Sequence, residues 1–515
     1  MTDKKTVEQW GTFEIALRGT TEGNPFTDSV IEGIFVNERE EKKVPGFYDG
    51  ENIYRVRFMP SFQGEYDFCI TGNCVEKITG SFTAVKPSAE NHGPVHVSDQ
   101  VHFSYADGTY YYPVGTTCYA WAHQTQELQT QTLESLKNSC FNKLRFCVFP
   151  KHYRYNYQEP PLYPYEGEPN DFGEINWYNY KAMNSPKDTK WDFSRFNPEY
   201  FRHFEKCIEK LMKLGIEADI ILMHNYDRWG FSVMPAWADE LYYRYVTARF
   251  SAYRNVWWSQ ANEFDLVPDK TVEDWERLGK LLMKEDPYGH LRSIHNCRVY
   301  YDNSQCWVTH CSLQRIDIYK TVEETEVQRQ TWGKPVVVDE MCYEGDICMD
   351  WGNIPAWELV RRCWEITLRG GYTGHSEVFE NETGTFWWSQ GGLLRGISEP
   401  RLRFLRQILE ETPAHGLRFL PWKDSAVEGG GVCGVADNAE INPSYRIYYF
   451  GWYCPRRKSF QFPEDETWQA QIIDTWNMTI MQAGKYTGKF WLELPARQYM
   501  AVRLVRVGHE KEKVF

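Results

Sequence analysis

No stretch of this sequence is apolar over the roughly 18 residues that a membrane-spanning helix needs. The opening residues, Met1 to Glu8, are charged and lack the apolar core of a secretory signal. A cytoplasmic chain with no membrane partner is the expectation. Basic residues are also short: 57 Lys and Arg stand against 71 Asp and Glu, a net charge of -14. A nucleic-acid partner, which needs a basic patch, is therefore not expected. The 14 cysteines are scattered, without a CxxC spacing or a paired histidine, even where Cys69 and Cys74 or Cys342 and Cys348 come close. They read as reduced, mostly buried thiols, so neither a disulfide framework nor a metal site is expected. The chain also lacks an H-E-x-x-H pair, a Gly-rich phosphate loop and a G-x-S-x-G elbow. Metalloprotease, nucleotide enzyme and α/β-hydrolase readings are left without support, and no cofactor is called for.

Aromatic residues are abundant, at 16% with 21 Trp and 33 Tyr. Flat rings suit the C–H faces of sugars, although core and strand packing alone explains such a composition. A length of 515 residues suggests several domains. Residues 1–97 read as a small β-sandwich, with short alternating strands at 7–17, 33–37, 53–58, 64–70 and 80–85. Residues 98–415 alternate strands with helices, and 416–515 return to strands alone, at 445–452, 469–474, 489–494 and 500–505. In the middle segment, strands are predicted at 110–115, 142–149, 216–223, before Asn262, and at 291–295, 307–311, 335–340 and 372–379. Helices are predicted at 126–139, 196–214, 235–253, 272–285, 322–331, 355–369 and 400–411. Eight such units describe an α/β fold, a (β/α)8 TIM barrel between two all-β sandwiches.

The barrel is organised around Arg254-Asn255-Val256-Trp257-Trp258-Ser259-Gln260-Ala261-Asn262-Glu263-Phe264-Asp265. An apolar run stops at Asn-Glu, as a buried parallel strand does when it delivers polar groups to the catalytic end of a barrel. Lys334-Pro335-Val336-Val337-Val338-Asp339-Glu340 ends the same way. A lone Glu at a strand end is more often solvated or ion-paired than catalytic. Two of them, at the ends of strands four and seven, form the pair that glycoside hydrolysis requires. Retention needs the two carboxyl groups about 5–5.5 Å apart, one as acid/base and one as nucleophile. Glu263 among aromatic neighbours suits the acid, and Arg145 on the second strand could hold Glu340 ionised and oriented as the nucleophile.

Asn262 offers an amide to a neighbouring sugar hydroxyl. His224, His310, His375 and Glu377 are further candidates to bind substrate, and Trp387 or Trp388 to floor the subsite. A histidine after a strand is as often structural, so His224 and His310 stand near even. Asp339 must face away from its neighbour and reads as structural; Asp265 could bond loop backbone. Glu344 is the rival nucleophile. The long aromatic loop 150–191 is expected to wall the pocket.

The Trp257–Asp265 segment resembles the clan A glycoside hydrolases, whose fourth strand ends in Asn-Glu and whose seventh ends in Glu. Gly374-His375-Ser376-Glu377 and Phe386-Trp387-Trp388-Ser389-Gln390-Gly391-Gly392-Leu393 are similar to the Thr-His-Gly-Glu and Trp-Trp-Ser-Lys-Gly-Gly patterns of the apiosidase-like branch. The flanking sandwiches resemble those around that barrel, the C-terminal one through Asp474-Thr475-Trp476-Asn477-Met478-Thr479, Leu494-Pro495 and Tyr499-Met500-Ala501. The resemblance implies a retaining glycosidase acting on carbohydrate, with Glu263 as acid/base, Glu340 as nucleophile and Asn262 on the 2-hydroxyl. Clan habit favours β-linked substrates, and a cytoplasmic site favours exo action on short glycosides. An endo-glycanase and a non-catalytic carbohydrate-binding protein are the alternatives. Two positions depart from the pattern: Gly374 replaces Thr and Ser376 replaces Gly. The clan's strand-six tyrosine, which touches the nucleophile, has His310 as its nearest counterpart here.

Overall fold

The computed structural model describes the chain except for residues 1–4, 21, 177, 180–185, 315–323, 422–430, 439, 441 and 509–515. Eight parallel strands form the central sheet: β1 (Val114–Thr117), β2 (Lys143–Cys147), β3 (Glu217–His224), β4 (Val256–Asn262), β5 (Arg292–Ser293), β6 (Cys311–Gln314), β7 (Val336–Glu340) and β8 (Tyr372–His375). Their order is β5-β4-β3-β2-β1-β8-β7-β6. A parallel bridge between His295 and Ser312 joins the two edge strands and closes the ring. Every residue of β2, β3, β4 and β7 is buried. That explains their continuous apolar runs, because a parallel strand in a barrel is covered on both faces.

Besides one short turn of helix at Trp387–Gln390, the α-helices among the described residues are α1 (Gln126–Lys137), α2 (Pro198–Lys213), α3 (Ala236–Phe250), α4 (Val272–Glu285), α5 (Thr325–Trp332), α6 (Ala356–Leu368) and α7 (Glu399–Glu410). Their starts follow local chemistry. Asn197 caps α2 by accepting from the Glu199 amide, with Pro198 as first residue. Thr271 and Asp274 cap α4 reciprocally. Pro235 and Pro355 precede α3 and α6.

The differences from the predicted elements have local causes. β1 starts at Val114 rather than at 110, because Pro113 has no N–H for the ladder. β6 begins at Cys311, so His310 precedes the strand instead of lying within it. Predicted strand 372–379 breaks at Ser376, and Glu377–Val378 leaves the barrel to pair with Glu344–Gly345. The predicted helix 322–331 begins outside the described residues; its described part is α5. Predicted strand 7–17 is split at Trp10, whose φ of 60° turns the chain. Thr6–Glu8 and Phe13–Arg18 then occupy opposite ends of one sheet.

That N-terminal sheet has seven strands around a core of Phe13, Phe35, Phe58 and Phe82, with Phe13 stacked on Phe82 at 3.9 Å. The C-terminal region has a six-stranded sheet and the pair Arg457–Gln461 and Lys489–Glu493, enclosing Trp468, Phe460 and Phe490. A buried charge network ties the N-terminal sheet to the barrel. Arg57 Nη1 lies 2.6 Å from Glu205 Oε1, Arg249 Nε lies 2.7 Å from the same oxygen, and Arg249 Nη1 lies 2.9 Å from Asp49. Burial alone would push Glu205 up, but Arg249 and Arg57 outweigh it and hold the carboxyl at about 2.

This lowered value fixes a pH dependence. The contribution is complete above the ordinary carboxylate pKa near 4.5 and is lost as pH falls toward 2. It amounts to about 3 kcal/mol at 1.36 kcal/mol per unit. Glu205→Ala removes the carboxylate that two buried guanidinium groups share, leaving Arg57 with Glu14 and Arg249 with Asp49, and is expected to cost about 3 kcal/mol in denaturant unfolding. The variant should also lose this part of the acid dependence.

Candidate active site

Glu263 and Glu340 meet in a cavity of about 980 Å³ at the C-terminal end of the barrel. Both are 5% exposed. Glu263 directly follows β4, and Glu340 is the last residue of β7. Glu263 itself has φ 52°, and Cys342, just past Glu340, has φ 70°. Left-handed backbone at a non-glycine residue costs on the order of 1 kcal/mol and concentrates at functional sites. Here it turns the chain at Glu263 and two residues after Glu340.

Their surroundings push the two carboxyl pKa values in opposite directions. Burial is the largest influence on Glu263 and raises its pKa, and the negative charge of Glu340 adds to it. Lys151, Tyr226 and the Cys297 thiol oppose that rise. The Tyr226 hydroxyl donates to Glu263 Oε2. With its amide turned to donate, Gln314 reaches Glu263 Oε1 at 3.1 Å. Burial also pushes Glu340 up, but His295, Arg145, Tyr119 and Tyr343 together hold it below the ordinary value. His295 Nε2 is 3.8 Å from Glu340 and is itself pushed down to about 4 by burial. It is therefore neutral at neutral pH, and the stabilising charge is the guanidinium of Arg145, 3.5 Å away.

Asn262 joins the same network. Its Oδ1 lies 3.3 Å from Arg145 Nη2 and 3.1 Å from the Tyr119 hydroxyl, whose single proton it shares with Glu340. Both contacts use the oxygen, so the Nδ2 hydrogens remain to donate to a ligand. Beneath the site, Lys143 bridges Asp219 at 2.7 Å and Asp339 at 2.8 Å. Arg145 Nε lies 3.6 Å from Asp219. The structural reading of Asp339 holds, and so does that of Asp265, which accepts from the backbone amides of Cys297, Arg298 and Val299.

Aromatic rings wall the cavity. Tyr153 and Tyr155 come from the long loop after β2, and Trp351 and Trp388 pack 4.8 Å apart. His152, Arg154 and Lys187 of the same loop also line it, as expected for that loop.

The remaining expected site residues lie elsewhere. His224 is buried with Nε2 3.2 Å from the Phe149 carbonyl. His310 is packed against Trp257 and Phe103 at the start of β6, the end opposite the acids. His375 stacks on Phe141 at 4.6 Å and its Nδ1 meets Thr116. Burial pushes all three imidazoles down to about 3. Trp387 is buried with its indole N–H on Thr116 at 2.8 Å, whereas Trp388 faces the cavity. Glu377 accepts from the amides of Arg395 and Gly396, and the rival Glu344 from those of Ile397 and Ser398. The two carboxylates therefore clamp the segment leading into α7, away from the cavity lining.

Glu344, His375 and Glu377 each offer one atom within 4.8 Å of the others and are the group among the described residues that could hold a cation. Four amide N–H groups already aim at the four carboxylate oxygens. Burial, with Glu344 nearby, pushes Glu377 up to about 7.

Residues that sequence reasoning missed are Tyr119, Lys151, Tyr226, His295, Gln314 and Tyr343. None belongs to a local motif. Tyr119 follows β1 and Tyr343 follows β7, and only ring closure brings them together on Glu340.

Residues 98–379 match the family model described as apiosidase-like, catalytic domain. Residues 6–73 and 434–505 match two domain families of unknown function, DUF5060 and DUF5605. Comparison with curated proteins gives no match. Among solved structures, a candidate glycoside hydrolase from Bacteroides vulgatus ATCC 8482 is 36% identical over 98% of this chain and 100% of its own, with a TM-score of 0.87. A family 5 glycoside hydrolase from the same organism is 14% identical, covering 82% of this chain and 96% of its own, with a TM-score of 0.61. At that identity the likeness concerns the fold.

Proposed function

The chain belongs to the apiosidase-like catalytic-domain family and is a glycoside hydrolase, and from that premise we propose that it is a retaining enzyme with Glu340 as nucleophile and Glu263 as acid/base. One observation carries the reading: two buried glutamates face a single cavity, one biased toward its ionised form and the other toward its protonated form. Double displacement needs that division.

Glu340 attacks the anomeric carbon while Glu263 gives its proton to the leaving oxygen. The covalent glycosyl ester that results is attacked by water, and Glu263 takes the water's proton back. Arg145 and the Tyr119 hydroxyl orient Glu340 through its Oε1 atom. Asn262, held by its oxygen, donates from Nδ2 to the 2-hydroxyl, where hydrogen bonds strengthen in the transition state. The rings of Trp388 and Trp351 floor the sugar.

The substrate class is a β-linked glycoside of short length, attacked from its end. The walling of the cavity by the long loop after β2 supports exo action. A cytoplasmic location is consistent with 14 free cysteines, most of them buried. Among the described residues no helix is long and apolar enough to cross a membrane.

The test is a panel of aryl glycosides, α and β: apioside, arabinofuranoside, xyloside, glucoside, galactoside, mannoside and fucoside. Hydrolysis of one β-glycoside, lost in Glu263→Gln and Glu340→Gln, is expected. Silence on the panel with cleavage inside oligosaccharides would make the enzyme an endo-glycanase. The pH profile of kcat/KM on the active glycoside should be bell-shaped. The acid limb reports protonation of Glu340 and lies below the ordinary glutamate value. The alkaline limb reports loss of the Glu263 proton and lies above it. An acid limb unchanged in Glu340 variants would remove Glu340 from this role.

A further inference from the structure

Lys151 follows β2 and is 1% exposed. Among the described residues it makes no ion pair. Its ammonium instead rests among ring faces, with Nζ 3.4 Å from the centroid of Tyr119, 4.1 Å from Tyr226, 4.6 Å from Tyr153 and 5.5 Å from Trp388. A cation over a desolvated aromatic face is attracted by the ring quadrupole. The identity of the first two rings gives the arrangement its meaning. The Tyr119 hydroxyl donates to Glu340, and the Tyr226 hydroxyl donates to Glu263. One buried cation thus sits on both phenols that hold the two acids.

We propose that Lys151 is a positioning residue: seated on the faces of Tyr119 and Tyr226, it fixes the two phenols that hold the nucleophile and the acid/base and gives both carboxylates one shared positive charge. The inference rests on the reading of Glu340 and Glu263 given above. A cation on a phenol face draws electron density from the ring and makes its O–H a stronger donor. The same charge favours the ionised form of each glutamate. Lys151 therefore offsets part of the upward push that burial exerts on both carboxyl groups. The charged and titratable groups facing it are Cys147 and Arg145 on β2, Tyr119 after β1, Tyr153 on the loop, His224 and Tyr226 at the end of β3, Glu263 after β4, and Glu340 on β7. Burial pulls the lysine's own pKa down, while Cys147, Glu263 and Glu340 pull it up. Cys147 is itself pushed up to about 12 by burial and stays neutral near pH 7, so the glutamates answer the ammonium, Glu340 as the resting charge and Glu263 once it has given up its proton.

Lys151→Met keeps the length of the side chain and removes the charge. The experiment is a carbon NMR titration of the full-length protein labelled at the glutamate carboxyl carbons, with Glu263→Gln and Glu340→Gln used for assignment. The midpoints of Glu263 and Glu340 should both rise in Lys151→Met, by about one unit for loss of a nearby cation, and stay near the wild-type values in Lys151→Arg. On the active glycoside, both limbs of the pH profile should move up and kcat should fall more than KM changes. Unchanged midpoints in the folded Met variant would overturn the proposal. If Met prevents folding, Lys151→Gln is titrated with the same two outcomes. The titration needs no substrate. A silent glycoside panel would therefore defeat the assigned reaction while leaving the lysine's effect on the two acids to be read separately.

Discussion

Glu340→Ala is expected to lose turnover of every substrate, by roughly 10⁵-fold or more in kcat, since removal of a nucleophile takes the covalent route away. The protein should still fold. Glu340 is one of several acids around Arg145, and Asp219 and Asp339 remain to answer the guanidinium. Loss of activity with an unchanged melting profile therefore separates chemistry from folding. Azide placed in the emptied space should attack the anomeric carbon directly and give a glycosyl azide of inverted configuration. Glu344 provides the control. Its oxygens are engaged by the amides of Ile397 and Ser398, so Glu344→Ala should loosen the segment before α7 and leave the chemistry in place. Full activity in Glu340→Ala with a dead Glu344→Ala would move the nucleophile to the loop.

Glu263→Ala should have a different signature. General acid catalysis contributes about 10²–10⁴-fold, and its loss matters in proportion to how badly the leaving group needs a proton. Alkyl and sugar leaving groups should suffer the whole loss. A dinitrophenyl glycoside should enter the first step almost unimpaired and then stall as the covalent ester, because water has lost its base. Azide needs no base and should release the ester as a glycosyl azide of retained configuration. The measurement is kcat and KM on glycosides of graded leaving-group pKa, with and without azide, and the configuration of the product. Equal loss across all leaving groups would take the acid role away from Glu263.

The two glutamates that face the cavity were legible because a buried parallel strand announces itself. An apolar run that ends in a polar residue, repeated at positions four and seven of an alternating pattern, locates the catalytic end of a barrel without knowledge of tertiary contacts. Asn262 was legible for the same reason, since it ends β4 itself, whereas Arg145 was read from its place on β2 and Trp388 from the aromatic loop after β8. The histidines were not separable from structural ones by sequence. His310 differs from a substrate ligand only in that β6 starts one residue after it, which places it against Trp257 and Phe103 at the far end of the barrel. Glu377 looked like a site residue by its motif, but Ser376 ends β8 and the next two residues join Glu344–Gly345, turning the carboxylate to the α7 segment. Tyr119, Tyr226 and Lys151 carried no signal because their meaning is relational. A tyrosine after β1 reaches Glu340 on β7 only when β8 lies between them in the closed ring. The charged strand Glu40–Tyr48 and the exposed strand Thr479–Thr487 were missed because neither shows a strong apolar face.

The central claim is that Glu340 bonds covalently to the sugar. It is tested most directly by incubating the protein with activated 2-deoxy-2-fluoro glycosides of the sugar that the panel identifies, and locating the label by peptide mass spectrometry. Fluorine at the 2-position slows both steps, and the good leaving group lets the ester accumulate. The account predicts one sugar per chain, on Glu340. A label on Glu344 or Glu263, or unlabelled protein that releases sugar of inverted configuration, would contradict it.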